Sequence, residues 1–267
     1  TGTNGKTSVS YFIDQLLSCF GCKVLVIGTL SGKLTTPESW DISKQIKEHV
    51  ESGGTHVVIE VSSHGIDQNR VLGLDFNIKC LTNITQDHLD YHKTFDAYKA
   101  TKMKFMETYS GISIYPDEIR SISPQDCPQL QGSFHLKNIG MAIKVCEHLG
   151  YSNSRIMSYL SLLKAPEGRF QFVDIGQPFK VIIDFAHTPD GLDHILNDAY
   201  EIVSQKSSKL IIVFGCGGER DITKREKMGA VAEKYSENII LTADNSRSES
   251  TSNIIDDIQK GIVNKII

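Results

Sequence analysis

The amino-acid sequence predicts an α/β fold. Short runs rich in β-branched residues alternate with longer segments of helical periodicity, a pattern that favours parallel sheets covered by helices. The chain also opens with a glycine-rich loop, TGTNGKTS, directly before the first predicted helix, as in loops that bind phosphate. At 267 residues the chain is long enough for two domains, and the break PEGR at 166–169 places their boundary between 1–167 and 168–267.

Apolar spacing and turn residues define the elements of both predicted domains. The first domain is predicted to have helices over 7–21, 40–52, 95–109, 135–149 and 153–163, and strands over 23–27, 56–61 and 76–83. A polar strand end is expected at 62–65, a polar loop at 84–92, and a connection at 111–131, where three prolines interrupt the pattern. In the second domain, strands over 171–174, 180–184, 210–215 and 238–242 accompany helices over 189–203, 224–235 and 251–266.

Composition and charge exclude several classes of partner. The 28 basic and 32 acidic residues give a net charge of -4, without the basic excess of nucleic-acid-binding proteins. The apolar runs are too short to cross a membrane, no signal peptide is recognised, and the six cysteines lack the spacing of a zinc site. We expect a cytoplasmic protein with reduced thiols and without nucleic-acid or membrane partners.

The opening loop has the residue types of a nucleotide site. Its glycines let backbone N–H groups approach a polyphosphate, Lys6 places an ammonium on the phosphates, and Thr7 offers a hydroxyl to Mg²⁺. The residues assigned to nucleotide binding here are Gly2, Thr3, Asn4, Gly5, Lys6, Thr7 and Ser8. The full pattern needs a further glycine and a strand before Thr1, so a helix start without ligand is the alternative. We therefore expect the chain to be a piece of a longer protein.

Polar residues near two predicted strand ends are candidate ligands in the first domain. Glu60 ends an apolar strand, where a carboxylate holds Mg²⁺ or forms a structural salt bridge. The loop 85–92 carries two histidines and two carboxylates, which suit a second metal or phosphate contact but equally suit helix caps and solvated turns. Lys99, Lys102 and Lys104 follow on a helix, and periodicity alone predicts that all three are surface charges.

Two further strand ends carry polar residues in the second domain. The stretches DFAHTPD at 184–190 and GCGGERD at 215–221 each join a strand to a helix. Both lie where an α/β sheet presents ligands, although a tight turn without a ligand would look the same.

A set of motifs strongly resembles the Mur ligase family. The motifs are TGTNGKTS, TTP at 35–37, EVSSHG at 60–65, TNITQDHLDYH at 82–92, AYKATKMKF at 97–105, GRF at 168–170, DFAHTPDG at 184–191, GCGGERD at 215–221, KREKMG at 224–229 and DNSR at 244–247. The resemblance covers nearly the whole chain in the right order. It implies a P-loop central domain with a mostly parallel sheet, followed by an incomplete Rossmann-like C-terminal domain. It also implies that a UDP-binding domain before Thr1 and a GKGHE stretch after Ile267 are absent.

The resemblance implies an ATP- and Mg²⁺-dependent amide-bond ligase of peptidoglycan synthesis, and so a role in cell wall biogenesis, cell shape and cell division. The carboxylate of UDP-MurNAc-L-Ala-D-Glu would take the γ-phosphoryl group of ATP, and an amino acid would attack the acyl phosphate to become the third residue of the peptide. Similar enzymes, folylpolyglutamate synthase and cyanophycin synthetase, share the fold and mechanism. A non-catalytic or split nucleotide-binding remnant is the alternative of a different class.

Individual site residues are implied by their match to the family's motifs. Lys6, Lys102 and His88 match catalytic positions. The metal ligands implied are Thr7, Glu60, His88 and Lys102, with Lys102 carbamylated by CO₂ rather than being a surface charge. Further nucleotide contacts are implied for Asn138, Asp184, His187, Arg220, Lys224 and Arg225. Contacts to the nucleotide-sugar peptide are implied for Thr35, Thr36, Ser62 and Arg70.

The DNSR stretch is similar to the family's DNPR motif for meso-diaminopimelate. It assigns Asp244, Asn245 and Arg247 to the incoming amino acid, with Ser246 in place of proline. An arginine pairs with the distal carboxylate of diaminopimelate through two parallel hydrogen bonds. Diaminopimelate is therefore favoured over lysine.

Overall fold

The computed structural model describes residues 1–32, 34–204 and 208–263 and confirms the α/β fold. The α-helices are α1 (Lys6–Cys19), α2 (Ser39–Glu51), α3 (Ser63–Asp67), α4 (Leu89–His92), α5 (Phe95–Thr108), α6 (Ser133–His148), α7 (Asn153–Met157), α8 (Pro189–Ser204), α9 (Thr223–Tyr235) and α10 (Thr251–Gln259). The β-strands are β1 (Val24–Ile27), β2 (His56–Ile59), β3 (Ile78–Cys80), β4 (Ile112–Ile114), β5 (Gln171–Val173), β6 (Val181–Ile183), β7 (Ile211–Phe214) and β8 (Asn238–Leu241). None of the helices within the described ranges is long and apolar enough to cross a membrane.

The described strands pair two by two. β1 runs parallel to β2, β3 to β4, and β7 to β8, whereas β5 and β6 form an antiparallel pair. The parallel pairs agree with the predicted mostly parallel sheet. The antiparallel pair follows from its short connection, since two parallel neighbours need a crossover of about a dozen residues or more.

Backbone contacts divide the chain into two compact units. The first comprises Thr1–Ile84 and Lys99–Ile183, and the second comprises Thr85–Tyr98 and Asp184–Ile267. The loop 85–92 therefore packs with the C-terminal segment, although it lies within the first half of the sequence. The predicted domain boundary between 167 and 168 stays a prediction.

The core of the first unit is formed by α1 and α6. Phe12 and Leu16 of α1 are fully buried against Ile139 and Cys146 of α6, as the helical spacing of apolar residues predicts. A second cluster includes Ile27 at the end of β1 and buried residues of α2 and α5. Burial of each such side chain stabilises the fold by about 1.5–3 kcal/mol. The first cluster therefore fixes α1, the helix that follows the glycine-rich loop.

The core of the second unit lies between one face of β7 and three helices. Ile212 of β7 is buried with Leu196 of α8, Met228 of α9, and Ile254 and Ile258 of α10. The opposite side chains of β7 point outward, so this strand alternates between buried and exposed residues. Strand β7 and helix α9 therefore fix the two ends of the loop that connects them.

Several predicted boundaries and loops were wrong. The segment predicted as a connection contains β4, whose three residues are too few to show a period but pair with β3. Two predicted polar stretches contain the short helices α3 and α4, and Ser62 caps α3 by accepting the N–H of Gly65. The helix predicted over 153–163 ends at Met157 and is followed by a 3₁₀ turn. The last helix ends at Gln259, and the final predicted positions, 264–266, lie outside the described residues.

Candidate functional site

The glycine-rich loop leads directly into α1. Gly5 precedes the first helical residue and has a φ of 85°, a left-handed conformation that favours glycine. A Cβ at Gly5 would lie 2.7 Å from Oδ1 of Asn138, so the predicted nucleotide residue on α6 lies against the loop. The first N–H groups of a helix have no partners within it. The start of α1 is therefore built as an anion site.

Lys6 lies over the loop that precedes it. Its Nζ donates hydrogen bonds to the carbonyl oxygens of Gly2, at 2.9 Å, and Thr3, at 3.0 Å. Its ammonium is thereby held at the start of α1, beside the backbone that the sequence assigns to phosphate.

Lys102 is buried, in contrast to its neighbours on α5. Its side chain is 1% exposed and its Nζ donates to the carbonyl oxygen of Gly2 at 3.0 Å, whereas Lys99 and Lys104 are exposed. The periodicity-based prediction of a surface charge is wrong for Lys102, because this position of α5 faces the loop rather than solvent. Lys6 and Lys102 therefore share one carbonyl oxygen.

The loop is held in place by residues that follow β3. The hydroxyl of Thr82 donates to the carbonyl oxygen of Asn4 at 2.5 Å, and Nδ2 of Asn83 donates to the same oxygen at 3.0 Å. The N–H groups of Thr3 and Asn4 donate to the backbone and side-chain oxygens of Asn83, both at 2.9 Å. The sequence analysis did not assign a role to Thr82 or Asn83, although their position at a strand end was a signal.

Thr7 and Glu60 lie together, as the sequence predicts. The hydroxyl of Thr7 donates to Oε2 of Glu60 at 2.9 Å, and the carboxylate is 3% exposed. Thr29, which the sequence analysis missed, donates its N–H to Oε1 at 2.9 Å and its hydroxyl to Oε2 at 3.3 Å. Its hydroxyl also lies 3.1 Å from that of Thr35. Buried carboxylates need such partners because their desolvation is costly.

Arg169 also reaches this group. Its Nη2 lies 3.5 Å from the hydroxyl of Thr7, so a guanidinium stands beside the Thr7–Glu60 pair. Arg169 belongs to the GRF motif of the family resemblance, and that motif was the signal that could have assigned it.

The residues assigned to the nucleotide-sugar peptide form one cluster after β2. The Thr36 hydroxyl donates to the carbonyl oxygen of Glu60 at 2.8 Å and accepts the N–H of Ser62 at 2.9 Å. Nη1 of Arg70 donates to the carbonyl oxygen of Thr36 at 2.7 Å, and Thr35 precedes Thr36 in the same loop. These four predicted residues are therefore neighbours of the Thr7–Glu60 pair.

In the second unit, Asp87 stands among three predicted site residues. Nε2 of His88, Nε2 of His187 and Nζ of Lys224 each lie 3.4 Å from a carboxylate oxygen of Asp87, which is 3% exposed. Burial acts to raise the pKa of Asp87, but the hydrogen bond from His187 and the charges of His88 and Lys224 outweigh it and hold the pKa well below its usual range. Asp87 was not singled out from the sequence, because carboxylates in loops are common.

The other predicted nucleotide residues of the second unit differ in their surroundings. Asp184 is half-buried and accepts the N–H of Ala186 at 2.7 Å in the turn before α8. Arg220 is exposed in the loop before α9. Both remain candidates for nucleotide contact.

Arg225 is engaged within the protein. Its guanidinium is almost fully buried, and Nη1 and Nη2 lie 3.0 and 2.9 Å from carboxylate oxygens of Asp257 and Glu249. These pairs hold α9 to the segment that includes α10. The geometry favours a structural contribution from Arg225.

The loop assigned to the incoming amino acid lies after β8. Asp244, Asn245 and Arg247 are exposed, and Nη1 of Arg247 donates to the carbonyl oxygen of Gly218. The N–H of Gly218 in turn donates to the carbonyl oxygen of Asn245 at 3.2 Å. The loops after β7 and β8 are therefore joined.

The predicted metal ligands are of mixed chemical type. Across 1–32, 34–204 and 208–263, no group of three or more His, Cys, Asp or Glu side chains is arranged to hold a metal ion. The predicted set differs from such groups because it includes the Thr7 hydroxyl and a modified Lys102. Thr7, Glu60 and Lys102 belong to the first unit and His88 to the second, so the complete set stays a prediction.

A glycine-rich loop before a helix, with a buried carboxylate beside it, is the arrangement of nucleotide-binding α/β proteins. The chain belongs to the Mur ligase family. The family described as Mur ligase middle domain matches residues 1–138, and the family described as Mur ligase, glutamate ligase domain matches residues 168–267.

Several relatives match almost the whole chain. A UDP-N-acetylmuramoyl-L-alanyl-D-glutamate–2,6-diaminopimelate ligase of Fusobacterium nucleatum is 36% identical, over 98% of this chain and 64% of its own length. The ligase of the same name from Pseudomonas aeruginosa is 34% identical, over 98% of this chain and 64% of its own. The chain thus spans slightly less than two thirds of these curated relatives.

Solved structures agree in fold. A diaminopimelate ligase of the same name superimposes with a TM-score of 0.60 at 27% identity, covering 98% of this chain and 64% of the other. A bifunctional folylpolyglutamate synthase/dihydrofolate synthase from Yersinia pestis gives a TM-score of 0.72 at 16% identity, covering 98% and 77%. At that identity the second likeness concerns the fold alone.

Proposed function

We propose that this chain carries the ATP-binding and amino-acid-binding parts of a ligase that extends UDP-MurNAc-L-Ala-D-Glu in peptidoglycan synthesis. The observation that carries the proposal is the joint placement of Lys6, Thr7, Glu60 and Lys102 around one glycine-rich loop. Relatives of about one-third identity that are named for this reaction with diaminopimelate support it. A cytoplasmic location accompanies the proposal, because ATP and nucleotide-sugar precursors are substrates.

ATP would place its phosphates at the start of α1. The loop N–H groups and the ammonium of Lys6 would stabilise the negative charge that develops on the transferred phosphoryl group. Asn138, which lies against Gly5, and Arg169, beside Thr7, would contact the same nucleotide. In the second unit, Asp184, His187, Arg220 and Lys224 are proposed nucleotide contacts.

The donor atoms beside the loop fit Mg²⁺. Hydroxyl and carboxylate oxygens are the ligands that this ion prefers, and those of Thr7 and Glu60 are 2.9 Å apart. A bound Mg²⁺ would neutralise phosphate charge there. Thr7 and Glu60 would hold one ion.

Lys102 is the proposed carbamate. Its ammonium is buried beside that of Lys6, and two like charges at one carbonyl oxygen repel each other. Carbamylation joins the nitrogen of Lys102 to the carbon of CO₂ with loss of two protons from the ammonium, and so converts this cation into an anion. The anion would attract Lys6 and would supply oxygen ligands for Mg²⁺. His88 of the second unit is a separately proposed metal ligand.

The acceptor substrate would lie after β2. Thr35, Thr36, Ser62 and Arg70 are proposed to bind UDP-MurNAc-L-Ala-D-Glu, whose carboxylate oxygen bonds to the γ-phosphorus as the bond to ADP breaks. The amine of the incoming amino acid then attacks the acyl carbon, and phosphate leaves as the amide forms. Exclusion of water protects this acyl phosphate from hydrolysis.

The incoming amino acid is proposed to be meso-diaminopimelate. Arg247 is exposed in a loop that is joined to the loop after β7, so its guanidinium is placed by backbone contacts. With Asp244 and Asn245 it would bind the distal end of the amino acid, where lysine lacks a carboxylate.

Phosphate release from ATP by the full-length parent of this chain tests the proposal. It should require both UDP-MurNAc-L-Ala-D-Glu and diaminopimelate, and Lys102→Ala should abolish it. Lys104→Ala is the matched control, because Lys104 is exposed on the same helix. Release that ignores both substrates would refute the proposed function, and equal activity of the two variants would refute the carbamate. Preference for lysine over diaminopimelate, or an Arg247→Lys variant with unchanged KM for diaminopimelate, would refute the role of Arg247.

A further inference from the structure

We propose that Asp87 is a positioning residue that sets the ring orientation of His88 and His187, sets the tautomer of His88 and holds the ammonium of Lys224. These three residues come from the loop before α4, the loop before α8 and the first turn of α9, and Asp87 is the group that they share. The relevance of Asp87 to catalysis rests on the proposed function, whereas the contacts that Asp87 makes do not depend on it.

Four nitrogen atoms surround the carboxylate. Oδ1 accepts the backbone N–H of His88 at 2.9 Å and lies 3.4 Å from Nζ of Lys224. Oδ2 lies 3.4 Å from Nε2 of His88 and from Nε2 of His187. An ionised carboxylate only accepts hydrogen bonds. Each of these nitrogens must therefore direct a hydrogen at Asp87.

This requirement determines the tautomer of His88. For His187 it competes with a second acceptor, the carbonyl oxygen of Phe185, which lies 3.1 Å from Nδ1. A neutral imidazole carries one ring hydrogen, and the atom that carries it is set by the hydrogen bond that the ring makes. With Nε2 of His88 facing Asp87, the hydrogen lies on Nε2. A metal ion and a carboxylate cannot take the same nitrogen, so a metal held by His88 in this arrangement would bind through Nδ1. Such carboxylate–histidine pairs orient metal ligands in general.

The burial and hydrogen bonds of Asp87 limit which residues could replace it. Asp87 is 3% exposed and Lys224 is 5% exposed, so water does not replace a lost contact freely. The backbone of His88 is left-handed, with a φ of 55°, and Asp87 accepts its N–H. The preceding residue, Gln86, donates from Nε2 to the hydroxyl of Thr223 at 2.9 Å. The loop is thus held to the start of α9 through Gln86 as well as through Asp87.

An asparagine at this position would satisfy only half of the cluster. Its amide has one acceptor oxygen, and its NH₂ group would face either the two imidazole Nε2 atoms or the His88 N–H and Lys224. In the first case the ring hydrogens must move or the rings must turn. In the second case the ammonium loses its counter-charge and must move outward.

Nitrogen NMR of the 267-residue chain tests the inference without nucleotide. At a pH where the rings are neutral, Nε2 of His88 should show the shift of a protonated ring nitrogen. The signals of the two rings are told apart by their loss in His88→Gln and His187→Gln. A hydrogen on Nδ1 of His88, with Nε2 unprotonated, would overturn the proposal even if every Asp87 variant failed to fold.

Asp87→Asn provides the second arm. It should change the ring-nitrogen shifts of His88 or His187, or raise the rate at which an amine reagent modifies Lys224 several-fold, as measured by mass spectrometry. Asp193→Asn is the matched control in the same unit, because Asp193 also accepts from an ammonium, that of Lys234 at 2.9 Å. A folded Asp87→Asn chain with both readouts unchanged would overturn the inference.

These outcomes are separable from those of the ligase test. If phosphate release ignored the proposed substrates while the ring signals behaved as expected, the proposed function would fail and the positioning role of Asp87 would stand. If the ligase reaction occurred and the ring of His88 carried its hydrogen on Nδ1, the opposite would hold.

Discussion

Replacing Gly28 with alanine should displace the carboxylate of Glu60. A Cβ at Gly28 would lie closest to Oε1 of Glu60, with Cδ at 2.6 Å and Cγ at 2.7 Å. Carbon atoms pack at about 3.5–4.0 Å, so the side chain must move by about 1 Å. The substitution is therefore a steric probe of Glu60 that leaves the carboxylate itself in place.

The expected cost follows from the contacts of Glu60. Its oxygens accept from the hydroxyl of Thr7 and the N–H of Thr29, both at 2.9 Å. A hydrogen bond to a charged group contributes about 1.5–3 kcal/mol, and overpacking costs about 1–3 kcal/mol. Because the shift would weaken rather than abolish these bonds, we expect the free energy of unfolding to fall by about 2–4 kcal/mol. If Glu60 holds Mg²⁺, affinity for Mg²⁺–ATP should fall about tenfold or more, equivalent to about 1.4 kcal/mol.

Two measurements check this prediction. Urea unfolding gives the stability difference, and titration with a fluorescent ATP analogue in the presence of Mg²⁺ gives the affinity. Gly32→Ala is the control in the same loop, because a Cβ there would meet only the carbonyl oxygen of Leu34, at 4.0 Å. Equal stability and equal affinity of the two variants would refute the steric argument. A stability loss with unchanged affinity would refute the metal role of Glu60 and leave the packing argument intact.

Two further predictions concern stability. His135 is fully buried, and its pKa is lowered to about 4, chiefly by burial. In the unfolded chain the pKa of His135 is near 6.5. Between about pH 6.5 and pH 4 the unfolded chain therefore binds a proton that the folded chain does not bind. As the pH falls through this range, the free energy of unfolding should drop by up to about 3 kcal/mol. His135→Leu should flatten the pH dependence of urea unfolding in this window, and an unchanged slope would implicate another group. Arg225→Met should lower the free energy of unfolding by about 1.5–3 kcal/mol, because it removes the charged hydrogen bonds to Glu249 and Asp257, which are both partly exposed. The exposed Arg220→Met should change stability by less than about 0.5 kcal/mol, and similar losses in both variants would contradict this assignment.

Long, strongly periodic elements were predicted well from the sequence. Helix α1 was predicted over 7–21 and spans Lys6–Cys19, and α5 was predicted over 95–109 and spans Phe95–Thr108. Strand β4 and the short helices were missed because three to five residues are too few to establish a period. Their formation depends on partners elsewhere in the chain, such as β3 for β4.

The candidate site was predicted in part. Thr7 and Glu60 were expected to meet because both lie at the ends of neighbouring elements of a parallel α/β arrangement, and the structure places them in hydrogen-bond contact. Thr29 was missed because no motif marks it, and Arg169 was missed although it belongs to the GRF motif. The metal, nucleotide and substrate roles of the site residues stay predictions.

The sequence by itself determined the α/β alternation, the glycine-rich loop at the start of α1 and membership of the Mur ligase family. These properties reside in local spacing and in short motifs, which need no knowledge of distant contacts. Only the tertiary structure decided that Lys102 reaches the loop by donating to the carbonyl oxygen of Gly2, and that Asp87 stands among His88, His187 and Lys224. The physical reason is that burial and pairing of charges depend on residues that lie about a hundred positions or more apart in the sequence. Such residues meet only when the chain folds.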